Sequence, residues 1–160
     1  MRWKAFAAMG LATLWLSVPA ARADESNKLT FLTFSRPVQL PGVTLPAGRY
    51  RFELADPVES RRVVKVQSED GKKQLALLLS MENQLPEAAK DPVVLFAETP
   101  EGQPDAVKAW VYPGERIGYE FIYPHDEALK IARRSHSPVL SKSGETIERI
   151  NEQGEPVDDK

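Results

Sequence analysis

The sequence predicts one mainly β domain, an antiparallel sandwich or small barrel of about seven or eight strands that ends in a short helix and a flexible tail. Three observations predict it. From Lys28 to Tyr123, short runs rich in Val, Phe, Tyr, Leu and Thr are separated by Pro, Gly, Asp and Asn, as in strands joined by turns. The run Arg49–Leu54 alternates apolar and charged residues with the period of a half-buried strand. There is no cysteine, so the domain has to be held by packing and not by disulfides.

The first residues read as an export signal. Arg2 and Lys4 precede an uncharged stretch, Pro19 interrupts it, and Ala21-Arg22-Ala23 puts small residues where a signal peptidase needs them. The apolar run from Ala5 to Val18 falls short of the ~20 residues that span a bilayer. Cleavage near Ala23 is therefore expected, with a periplasmic or extracellular product that carries no transmembrane anchor and no lipid-accepting cysteine. The chain has 21 basic and 23 acidic residues. Losing Arg2, Lys4 and Arg22 makes it more acidic still, which argues against nucleic acid as a partner.

The expected domain covers residues 24–136. Its strands are read near Lys28–Phe34, Val38–Leu40, Arg49–Leu54, Val63–Ser68, Gln74–Ser80, Val93–Glu98, Val107–Tyr112 and Tyr119–Tyr123. In Arg49–Leu54, Tyr50, Phe52 and Leu54 face one way, and Arg49, Arg51 and Glu53 face solvent. Asp70-Gly71 is the natural turn of the next hairpin. The following run, Leu75 to Leu79, does not alternate and so predicts a central strand buried on both faces.

After Tyr123 a helix is expected over about 125–134. Asp126 and Glu127 suit its N-terminal end, while Lys130, Arg133 and Arg134 suit its C-terminal end. This accounts for the one basic cluster. Residues 137–160 are mostly Ser, Glu, Asp, Lys, Gly and Pro, which predicts a flexible polar tail; the rival reading makes Glu145–Ile150 an edge strand.

Few residues point to chemistry. With no Cys and only His125 and His136, no metal site is expected. No G-x-S-x-G, S-x-x-K or Gly-rich phosphate loop is present, so no catalytic residue and no cofactor are assigned. His125 beside Asp126 is the best acid–base candidate, and Glu53, Glu98, Glu120 and Asp126 are the carboxylates a hydrolase would draw on. The most distinctive feature is aromatic. Trp110 and Tyr112 share one face of a strand; Tyr119, Phe121 and Tyr123 share one face of the next. They read either as core or, with Arg116, as a ligand-binding face.

Two segments, Val38–Phe52 (VQLPGVTLPAGRYRF) and Ala109–Pro124 (AWVYPGERIGYEFIYP), together resemble an uncharacterised family of exported bacterial proteins with a β-rich body and a helix after the Tyr-Pro pair. The resemblance implies compartment and architecture and brings no activity. The shorter LPAGRY piece is similar to the strand-opening turn of transthyretin-like and carboxypeptidase-regulatory-like sandwiches. The expectation is a non-enzymatic module that binds an envelope protein, a glycan or a small apolar ligand. The alternatives are a structural subunit of an envelope assembly and a hydrolase with a spatially assembled site.

Overall fold

A computed structural model describes residues 27–100 and 102–158. The export signal read at residues 1–23 lies outside them. The described chain forms β1 (Thr30–Phe34), β2 (Val38–Leu40), β3 (Val43–Leu45), β4 (Gly48–Asp56), β5 (Ser60–Ser68), β6 (Gln74–Gln84), β7 (Val93–Ala97), β8 (Asp105–Val111), β9 (Ile117–Phe121), β10 (Tyr123–Pro124), α1 (His125–Ser135), β11 (Val139–Ser143) and β12 (Thr146–Ile150). It is mainly β with one helix, as expected.

The larger sheet has the order β1-β4-β5-β6-β9-β8-β2-β3, with β7 on the free side of β8. It does not close into a barrel but curls as a sandwich does, so that one face becomes the interior. Tyr50, Phe52 and Leu54 of β4 meet Val64 and Val66 of β5 there. Phe52 reaches across to Trp110 of β8, with ring centroids 6.2 Å apart. Pairing is antiparallel except at β2–β8 and β10–β11. The buried Tyr123 hydroxyl holds the first of these parallel pairs, 2.8 Å from the Val107 carbonyl and 3.0 Å from that of Gln39. The Asp70-Gly71 turn forms as predicted. Gly71 sits at φ 71°, a conformation that costs other residues energy, and its N–H donates to the Ser68 carbonyl at 2.8 Å.

Three expectations are corrected. Strand β6 is central, lying between β5 and β9, but it is not buried on both faces: Leu78 is buried while Leu77 and Leu79 are exposed. Glu53 does not face open solvent. It is 4 % exposed, held by Lys65 at 2.6 Å and Arg51 at 2.9 Å. Finally, residues 137–158 are not a flexible tail. β11 and β12 pair with each other and join β10 in a second, three-stranded sheet against which α1 packs.

The tail was misread because its few apolar residues are placed where they count. Val139 and Ile150 are directly paired, 1 % and 0 % exposed, on the side that meets Ala128, Ile131 and Ala132 of α1. After β12, the Asn151 side chain accepts the Gln153 and Glu155 amides, and the Val157 N–H donates to the Arg149 carbonyl at 2.8 Å. Replacing Ile150 with Ala should therefore cost about 2–5 kcal/mol in urea unfolding, whereas a mobile tail would make the change neutral.

Helix α1 matches its sequence signals. Asp126 and Glu127 lie in the first turn, Arg133 and Arg134 in the last, and His136 ends it in the left-handed conformation at φ 51°.

Candidate functional site

The aromatic residues singled out by sequence come together, but as core. Trp110 and Tyr119 are directly paired across β8 and β9, with centroids 5.4 Å apart. With Phe121 and Tyr123 they are at most 1 % exposed. The curl of the sheet turns the side that carries these four residues inward, so they lie in the interior and present no open face; large aromatics contribute most to such an interior. Burial, with the Glu115 carboxylate nearby, pushes the Tyr119 hydroxyl up to about 12. Tyr112 is half-buried beneath the Lys28 ammonium, which lies 5.5 Å from its ring centre and pairs with Glu115. Arg116 is exposed, and its Nε donates to the Leu85 carbonyl at 3.2 Å.

The acid–base candidates do not converge on an open site. His125 Nδ1 lies 3.2 Å from the Ser141 hydroxyl, which is 1 % exposed within the small sheet. His136 pairs with Glu152 at the surface at 2.9 Å, and hydrogen bonding to His136 and Gln153 holds the Glu152 carboxyl below its ordinary range. For Glu53, burial acts to raise the carboxyl, but the hydrogen bonds from Lys65 and Arg51 outweigh it and the net shift is downward. Among the described residues, no three His, Asp or Glu side chains gather to hold a metal.

The feature with functional character is the outer face of β6, β9, β8 and β7. Strand alternation sends Leu77, Leu79 and Met81 outward, and they are 55 %, 42 % and 46 % exposed. Strand register sets Met81 beside Glu120, Glu120 beside Ala109, and Ala109 beside Leu95. The β11–β12 hairpin lies over this face. Arg149 of β12 clasps Glu120 with two bonds of 2.5 and 2.8 Å, and Asn83 adds a third at 3.2 Å.

The clasp leaves a hollow on either side of the hairpin. One, of about 770 Å³, has Met81, Leu95, Phe96, Ala109 and Leu140 beside the Glu120–Arg149 pair. The other side is lined by Leu79, Met81, Ile122 and Ile147, with Arg61 and Glu82 at its rim. Both contain Met81, so β6 runs as an apolar rail along the hairpin.

No family model, curated protein or solved structure matches this chain.

The sequence contained one sign of this surface. The unbroken LALLL places leucines at both parities of a strand, and only one parity enters the core. The other can be covered by a second layer or left outward, and the sequence reading assumed the first. The Glu120–Arg149 clasp left no local sign, because its partners are 29 residues apart.

Proposed function

We propose that this chain is exported and acts outside the cytoplasm as a non-enzymatic interaction module, with the Leu77–Leu79–Met81 rail as its contact surface. The observation that carries the reading is the exposure of these three side chains on a central strand. The solvent face of an antiparallel sheet is ordinarily polar, and a contiguous apolar patch rimmed by polar groups is the usual mark of a binding surface. Ile147, also exposed, extends the patch from the hairpin side. The hollows on both sides suit an apolar chain or a protein ridge laid along β6. The basic start and apolar run of the first residues support the export half of the reading.

A photo-crosslinking side chain placed at Met81 in the exported protein should repeatedly capture one partner or ligand species. The same group at Val58, which is 91 % exposed on the β4–β5 turn, should capture none selectively. Leu79→Asp with Met81→Asp should leave the fold intact and abolish capture from a crosslinker at Ile147. Equal, unselective capture from Met81 and Val58 would defeat the proposal.

A further inference from the structure

Two of the three edges of the larger sheet, β1 and β7, face each other without pairing. β1 pairs only with β4, and β7 only with β8. Among the described residues, no backbone hydrogen bond from another element reaches the outer edge of either strand. They are nevertheless neighbours, since Phe34 of β1 and Phe96 of β7 meet edge to face with centroids 6.4 Å apart. The Cα traces stay beyond 8 Å at all but isolated points. Strands on either side of one intervening strand stand ~9.6 Å apart, twice the ladder spacing.

The two edges also run the same way. β7 starts opposite Val111 and ends opposite Ala106 of β8. β1 starts where Lys28 lies against Glu115 and Tyr112, just past Val111, and the residues after its end tie down at Arg36–Asp105, 2.7 Å. A single strand entering the gap antiparallel to one edge is therefore antiparallel to the other, the better-bonded arrangement on both sides. Where the two strands end, the gap widens into a hollow of about 670 Å³, with Phe34, Val38, Val94 and Phe96 as apolar lining and Thr33, Ser35 and Thr99 among its polar lining. Glu98 stands exposed at its foot and has no ion pair among the described residues, whereas Arg36 and Asp105, which line the same hollow, pair with each other.

We propose that the β1–β7 slot is a strand-acceptor site: it takes an extended segment of another protein, with alternating apolar residues and a basic residue at its N-terminal end. Main-chain bonds to both edges give such a segment its affinity, and side chains on alternate positions give its specificity. The N-terminal end of an antiparallel guest lies at the foot of the slot, where a cation meets Glu98. This surface does not depend on the β6 rail.

The test is hydrogen–deuterium exchange on the purified protein with a nine-residue peptide probe that alternates Val and Thr after an N-terminal Lys. Backbone amides of β1 and β7 should both slow by about tenfold or more, with no change at the free edge β3. A control of the same composition with its valines grouped together should protect neither strand. Glu98→Lys should weaken binding of the alternating peptide several-fold, while an N-terminal Glu on the peptide should restore it to that variant. Three results would overturn the proposal: no protection of either strand, protection of one edge alone, or a dimer of this chain that protects β1 and β7 without peptide.

Discussion

Trp110→Ala should cost about 3–5 kcal/mol, the range for removing a large aromatic from a packed interior. Domains of this kind have only about 5–15 kcal/mol to lose. The variant should therefore unfold at much lower urea and sit near its limit at 37 °C. Trp110 is fully buried and touches Phe52 on one side and Tyr119 on the other, so its indole ties β4 to β8 and β9 across the core. The surroundings cannot refill that volume. Tyr112→Ala is the control, because Tyr112 is half-buried under Lys28 at the domain's end. It should cost well under half as much. A Trp110→Ala protein as stable as its parent would mean that the aromatic group is not core.

Arg149→Met should destabilise by about 3 kcal/mol, toward the lower end for breaking a buried ion pair because the Arg149 side chain retains 18 % exposure. Most of the loss comes from the Glu120 carboxylate, 4 % exposed, which is left with Asn83 as a hydrogen-bond partner. Adding Glu120→Gln should recover most of it, since the cost lies in the uncompensated charge and not in the missing contact. Hydrogen exchange locates the effect: β11 and β12 should open before β4 and β5 in Arg149→Met, and should close again in the double variant. Uniform opening of the whole chain would mean that the clasp does not hold the hairpin to the sheet.

Local patterns were legible wherever the local pattern decides the element. Tyr50, Phe52 and Leu54 alternate and are core, and Asp70-Gly71 turns the chain. Asp126, Glu127, Arg133 and Arg134 mark the ends of α1. The aromatic segment was legible as residues that gather, and sequence left open whether they gather inside or outside. The three-residue β3 escaped notice because Gly42 and Pro46 on either side of it read as turn residues, although the equally short β2 was read at its own bounds. The tail escaped because average composition hides placement: Val139 and Ile150 are few, but they stand opposite one another beneath α1.

The sequence by itself determined the β class, the main turns, the helix and its polarity, because these depend on the nearest few residues and on period. Tertiary structure decided which face of β6 is covered, that Glu120 meets Arg149, and that β1 and β7 end side by side unpaired. Each of these depends on how a nine-stranded sheet curls and on what is laid over it. Such contacts join residues far apart in the chain, and no local pattern of side chains encodes them.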